Sequence, residues 1–426
     1  MNYLIKNGKL LIYENNSFKA VKSDLYIKEN KIEHIGEFKD QPDDKYETVD
    51  ATDMLIMPGL INMHTHVYMT LLRNYADDVD FSEWLFKRVM PVEDSLSPDA
   101  AYWTNLLGFA EMFRSGTTSY SDMHMYKCMS GKAAKDCGIR AFIGRGLVGE
   151  DLYKDGLSRF EDALAEEAEY GSDRIKIILS PHAIYSASEK LYRQVDEEAK
   201  KRGLLKQTHL SESLTELNDC LKLRGVTPVK YLNDIGFLDD NTILAHCVQL
   251  VDDDIEILKN SGATVVTNPA SNAKLGNGFA PICRINDAGI NLCLGTDGAS
   301  SNNSLNMFRE MGLLSLIHKG VEKSSTAMPA NAVLSAATVN AGKALKAEDL
   351  GIIKEGAKAD LCFVNLNEPS LFPNNNIVSS LCYSANGSEV DSVMIDGKFV
   401  MRKRELLTID YDRVRFEVNK IVGRYL

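Results

Sequence analysis

Pro58-Gly59-Leu60-Ile61-Asn62-Met63-His64-Thr65-His66 decides how this chain is read. A short apolar run ends in two histidines spaced two residues apart. Alternate side chains share one face of a strand, so His64 and His66 point the same way. Downstream, short apolar runs alternate with longer amphipathic stretches, the rhythm of βα units around a parallel sheet. Eight strands are expected, ending near Ile61, Met123, Leu147, Ser180, Thr208, Ala245, Thr267 and Gly295. Helices are expected between them, among them 98–114, 188–202 and 251–260. Eight strands with intervening helices predict a TIM-like (β/α)8 barrel of roughly 250 residues or more. The alternative is an open doubly wound sheet. It is weakened because no GxGxxG follows the first strand and because polar residues gather at so many strand ends.

The two ends of the chain have another texture. Tyr3-Leu4-Ile5, Lys9-Leu10-Leu11-Ile12-Tyr13, Leu25-Tyr26-Ile27 and Lys31-Ile32-Glu33-His34-Ile35 read as strands, with Asn7-Gly8 and Glu29-Asn30 as hairpin turns. Strands around Ala359 to Val364 and Val390 to Ile395, and the turn Asp396-Gly397, repeat the pattern. The expectation is a catalytic barrel over 57–352. A small β-sandwich domain is built from 1–56 and 353–426 together.

Composition narrows the function. The formal net charge of the 426 residues is −12. That argues against a nucleic-acid backbone as ligand, which needs clustered Lys and Arg. It leaves a free nucleoside open. No apolar run reaches the roughly 18 to 20 residues that span a bilayer. The first residues do not read as a signal peptide, so a cytoplasmic address is expected. The eight cysteines form no CxxC pair and read as reduced, buried thiols.

In a barrel of this kind the active site forms where strands end. His64 and His66 close the first strand, His209 the fifth, His246 the sixth and Asp297 the eighth, while His182 follows the fourth. Five imidazoles and an aspartate at successive strand ends match a catalytic metal centre with room for water better than a closed structural site. Zinc is the first expectation. Iron and manganese remain open, because a His-rich site with one carboxylate accepts all three. Glu212 lies three residues after His209, and a helical turn there brings its carboxylate back toward the histidines. Arg145 ends the third strand and Arg159 lies in the loop beyond. Two guanidiniums near one pocket suit a carboxylate on a substrate. Trp84 and Phe86 are candidates for an apolar wall.

The stretches PGLINMHTH, THLSES and LGTDGASSNNSLNMF resemble the amidohydrolase superfamily, in particular its 5-methylthioadenosine/S-adenosylhomocysteine deaminases. PVED, SPHAIYSAS, AHCVQL and NPASNAKLGNGFAP extend the resemblance over nearly the whole chain. It implies one divalent metal ion on His64, His66, His209 and Asp297. Binuclear relatives carry a carboxylated lysine at the end of the fourth strand, whereas the only lysine here, Lys176, lies near that strand's start. The resemblance further implies that Glu212 shuttles protons and that Asp297 and His246 accept and orient a water. It has Glu93 bind ribose hydroxyls, His182 hold base or ribose, and Arg145 and Arg159 hold an amino-acid tail. Ser301 and Trp84 are expected to touch substrate. The implied partner is a small nucleoside, with neither nucleic acid nor membrane, in a homo-oligomer. The competing expectations are a guanine or pterin deaminase or a triazine chlorohydrolase on the same scaffold, since fold does not fix substrate. A non-catalytic binding protein is a further alternative. The H-x-E…P-C-x-x-C pattern of nucleic-acid deaminases is absent.

Overall fold

A computed structural model describes residues 1–37, 45–125 and 129–426. Eight strands form one sheet in chain order, each parallel to the next. They are β1 (Leu60–Thr65), β2 (Thr117–His124), β3 (Arg140–Leu147), β4 (Ile175–Pro181), β5 (Lys206–Leu210), β6 (Thr242–His246), β7 (Thr264–Thr267) and β8 (Leu292–Leu294). Just past β8 the Asp297 amide donates to the His64 carbonyl over 2.9 Å, drawing the last strand back to the first. Gly295 lies at this seam. A Cβ there would come within 2.8 Å of the His64 backbone, so only glycine allows the approach. The expected barrel is the one that forms.

Every residue of β2 and β3 is buried. With both faces covered, such strands read as continuous runs rather than alternations. Near the strands' N-terminal ends, Ile61, Phe142, Ile178 and Ile243 pack against Ala341, Ala344 and Leu345. The helices Pro98–Arg114, Glu189–Arg202 and Asp252–Ser261 occupy the expected stretches. The hydroxyls of Ser97 and Ser188 accept the amides of Ala100 and Leu191 and so cap the first two.

The termini build two further sheets. Seven strands lie in the order Glu405–Leu406, Lys398–Arg402, Val390–Ile395, Leu361–Asn365, Met54–Pro58, Lys9–Glu14, Ser17–Lys22. Four lie in the order Lys31–Ile35, Leu25–Lys28, Asn2–Lys6, Tyr46–Asp50. Tyr3, Ile5, Leu25 and Ile27 of the smaller sheet share one core with Leu10, Ile56, Leu361 and Phe363 of the larger. Glu29-Asn30 and Asp396-Gly397 each close a two-residue hairpin, as expected. Asn7-Gly8 does not. The strands on either side of it belong to different sheets, so the pair turns the chain across the sandwich. A hairpin needs both strands in one sheet. The nearby hairpin is instead at Asn15-Asn16, whose φ angles of 51° and 60° suit such a turn. The final helix, Tyr411–Tyr425, leaves the sheets and lies on Pro98–Arg114, with the Tyr425 hydroxyl accepting the Ser97 amide over 3.1 Å.

Arg140, at the start of β3 and 2% exposed, ties barrel to sheet. Its guanidinium donates to both Asp360 oxygens, at 2.6 and 3.1 Å, and to Asp396 Oδ1 at 3.2 Å.

Candidate active site

The strand ends bring His64, His66, His209, His246 and Asp297 together. Donor atoms of His64, His66 and His209 all lie within 4.8 Å of one another, as do those of His64, His246 and Asp297. Two of the rings are oriented from behind. His66 Nδ1 donates to the Met123 carbonyl, and His209 Nδ1 donates to the His182 carbonyl at 2.8 Å. Both Nε2 atoms therefore keep their lone pairs. Those two atoms are 3.3 Å apart. Asp297 Oδ1 lies 3.2 Å from His66 Nε2 and 3.5 Å from His64 Nε2. His64 Nε2 is buried with no hydrogen-bond partner among the described residues. Lone pairs facing one another around a buried carboxylate are repulsive unless a cation sits between them. The donor set fits a divalent ion.

Electrostatics agree with that reading. Burial holds His64 down at about 4 and His209 well below the usual imidazole value. Burial would also lower His66, but Asp297 beside Nε2 outweighs this and lifts it to about 9, so that a proton would take the place facing Oδ1 wherever a cation did not. Asp297 stays well below the carboxylate range: burial acts against the charge, and the two imidazoles at Oδ1 overcome it. His246 and Asp297 have φ of 75° and 60°, unusual for residues other than glycine. Such conformations cluster where a fold must aim a side chain.

Glu212 is buried beside this cluster, its Oε2 3.9 Å from His246 Nε2 and its Oε1 accepting from Asn277 Nδ2 at 3.0 Å. Burial raises its pKa. The carboxylate does not arrive on a helical turn as expected, because the helix begins only at Leu214. Instead Glu216, in the first turn, accepts the amides of both Ser211 and Glu212 and folds the segment back. Burial pushes the Glu216 carboxyl up to about 7, against the two amide bonds that favour its charge.

A cavity of about 830 Å³ lies beside the cluster, with His182, Glu93 and Glu216 on its wall and the His182 ring 4.8 Å from that of His209. Its apolar wall is Phe81, Leu85, Phe86 and Met90. Glu93 accepts from the Tyr68 hydroxyl, and burial raises its pKa. His182 Nδ1 pairs with Ser186 Oγ at 2.8 Å, and burial lowers the ring to about 3.

Three expected substrate contacts sit elsewhere. Trp84 is not on the cavity wall; it packs into the core behind, its Nε1 donating to Ser300 Oγ at 3.1 Å. Ser301 turns its hydroxyl to Asp297 Oδ2 at 2.8 Å, joining Ser271 at 2.6 Å. Arg145 is 7% exposed, lies off the cavity wall and faces Asp162 at 3.9 Å. Arg159 does line the cavity, from the first turn of the helix Leu157–Tyr170 rather than from a loop. Its Nη1 donates to the Met125 and Gly146 carbonyls.

Sequence reading gave no role to Ser271, Asn272, Asn277 or Glu216. Asn272 Oδ1 and His246 Nδ1 are 2.8 Å apart. For Ser271, Asn272 and Asn277 the signal was their place in the stretch NPASNAKLGNGFAP, which carries part of the family resemblance.

A parallel barrel whose strand ends converge imidazoles and a carboxylate on one buried point is the architecture of a metal-dependent hydrolase. Residues 55–400 match the Amidohydrolase family, and the chain belongs to it. Its members are metal-dependent. The chain is 42% identical over 429 residues to a 5-methylthioadenosine/S-adenosylhomocysteine deaminase of Caldanaerobacter subterraneus subsp. tengcongensis, covering 99% of this chain and 98% of that one. It is 40% identical over 413 residues to a 5′-deoxyadenosine deaminase of Methanocaldococcus jannaschii, covering 95% and 97%. The crystal structure of an adenosine deaminase from Xanthomonas campestris with bound zinc superposes with a TM-score of 0.94 at 29% identity, over 99% of this chain and 98% of that chain.

Proposed function

We propose that this enzyme deaminates the adenine ring of 5′-modified adenosines by hydrolysis. The 6-amino group leaves as ammonia and an inosine-type product remains. The observation that carries this is the convergence of His64, His66, His209 and Asp297 on one point beside Glu212 and His246, in a chain 42% identical to a deaminase of that class. In this reading those four residues hold one divalent ion, with zinc preferred because the Xanthomonas enzyme binds it. Iron or manganese would suit the same donors. Lys176 is exposed at the start of β4, which favours a single ion.

His64, His66, His209 and Asp297 would hold the ion, which when bound would supply a water that ionises near neutral pH. Asp297, its Oδ2 held in place by two serine hydroxyls, takes the water's proton. His246 orients the water through Nε2. The water oxygen adds to C6 of the purine. Glu212 donates from Oε2 to a ring nitrogen, and its raised pKa is the direction a general acid needs. Asp297 passes its proton to the exocyclic amine, the C6–N bond breaks to release ammonia, and the C6 hydroxyl proton returns to Glu212 as the carbonyl forms. Glu93 and His182 hold the ribose and base at the cavity floor. Arg159 reads an acidic 5′ tail, with Arg145 behind it.

The substrates are methylthioadenosine and S-adenosylhomocysteine, with 5′-deoxyadenosine and adenosine as smaller alternatives. Residues 57–352 make the catalytic unit, and 1–56 with 353–426 its β-rich companion. Among the described residues no helix is long and apolar enough to cross a membrane. We place the enzyme in the cytoplasm, acting on free nucleosides as a homo-oligomer. Ammonia release from a panel of these four nucleosides and guanine tests the proposal. Turnover of guanine alone would replace it with another deamination on the same scaffold.

A further inference from the structure

The amides of Ser211 and Glu212 both end on one carboxylate. Ser211 N donates to Glu216 Oε1 at 3.0 Å, and Glu212 N to Glu216 Oε2 at 2.8 Å. Glu216 is 5% exposed. It stands in the first turn of the helix Leu214–Arg224, where Ser213 Oγ accepts its own amide at 3.2 Å. Ser211 has a φ of 52°, a left-handed conformation that residues with a Cβ keep only when held. A carboxylate that takes two adjacent amides is a strong, directional clamp. Beyond the clamp, Asn277 occupies Glu212 Oε1, and Oε2 is left toward His246. Backbone and side chain of Glu212 are thus fixed independently, with one oxygen left for chemistry.

We propose that Glu216 is a positioning residue for the deamination: its two-amide clamp aims Glu212 Oε2 at the substrate. This rests on the reading of Glu212 as the proton shuttle. Glu216 also borders the cavity, so a direct substrate contact is the competing role. The two roles differ in what they change. A clamp acting through Glu212 alters turnover. A direct contact alters substrate affinity.

The test uses the full-length, metal-replete enzyme with methylthioadenosine. kcat, KM, bound metal and Tm are measured for the wild type, Glu216→Gln, Glu212→Gln and the double variant. Glutamine offers one accepting oxygen and turns an NH2 group toward the other amide, so half the clamp is lost. Glu216→Gln is expected to lower kcat roughly tenfold or more while KM stays within roughly twofold. Metal content should not change. The double variant should be no slower than Glu212→Gln alone, because the second change acts only through the first. Near-normal kcat in Glu216→Gln alongside an inactive Glu212→Gln would overturn the clamp, as would a loss carried by KM. So would a double variant slower by the full Glu216→Gln factor. Near-normal turnover in Glu212→Gln would instead sink the shuttle reading. If Glu216→Gln does not fold, Glu216→Asp takes its place with the same expectation; it keeps the charge and shortens the reach.

Discussion

Asn272 Oδ1 accepts a hydrogen bond from His246 Nδ1 over 2.8 Å. With the proton committed to Nδ1, Nε2 is the bare nitrogen that faces Glu212 and the water site. Asn272→Leu removes the acceptor and frees the ring to turn over or change tautomer. Turnover should fall about 10- to 100-fold, up to the low end of what general acid–base catalysis contributes, because the ring no longer orients the water. Metal per subunit should stay constant, since His246 is not among the four proposed ligands. Turnover and metal analysis on the same preparation check both halves.

Removing the metal should do two things. Chelation should abolish ammonia release, and it should lower Tm, because any ligand bound only by the folded chain stabilises it. Both should return when zinc is added back. An apo protein with unchanged Tm would contradict the repulsive, ion-seeking cluster of His64, His66, His209 and Asp297 described above.

The two arginines should separate. Arg159 lines the cavity and Arg145 does not. Arg159→Gln is expected to weaken kcat/KM for S-adenosylhomocysteine about tenfold or more while sparing methylthioadenosine, which has no carboxylate. Arg145→Gln should affect both substrates equally and lower Tm. Identical profiles for the two variants would refute this division of roles.

His318 gives a pH dependence unconnected with catalysis. Burial holds its imidazole at about 4, below its ordinary 6.5. As pH falls from 6.5 to 4, the unfolded chain takes up a proton that the folded chain refuses. Stability is therefore lost across that window and is flat, for this group, above it. His318→Met removes the titrating ring. Urea midpoints at pH 7 and pH 5 should then differ less in the variant than in the wild type.

Breaking the buried Arg140 cluster should be costly. Arg140→Met leaves Asp360 and Asp396 without their cation, a loss of about 3 to 5 kcal/mol in unfolding free energy. The protein that remains folded should have near-normal kcat, since the cluster lies at the start of β3, at the other end from the histidines. Equilibrium unfolding together with turnover per folded molecule checks the pair.

The barrel was legible because buried parallel strands announce themselves as apolar runs, and because His64, His66, His209, His246 and Asp297 stand at their ends. Side chains that support them were less so. Ser271, Asn272 and Glu216 lie on short helices or first turns, where Ser, Asn and Glu are also ordinary capping residues. Only their distances to Asp297, His246 and Glu212 distinguish the two uses. Arg145 misled for a related reason. A strand end fixes where a side chain starts, but not whether a neighbour such as Asp162 will hold it away from the cavity. Asn7-Gly8 carried a true turn signal, but which sheet the next strand joins depends on Met54–Pro58, far downstream.

Met54–Pro58 finds its antiparallel partner in Leu361–Asn365, with Met57 opposite Cys362. Roughly 300 residues separate them, which takes roughly 15 to 60 s to translate. During that interval the nascent chain presents an apolar strand edge with no mate, while the barrel between is still being made. Maturation of this enzyme therefore waits on Leu361–Asn365 leaving the ribosome. Anything that stalls or cuts the chain before that strand leaves Met54–Pro58 bare on one side.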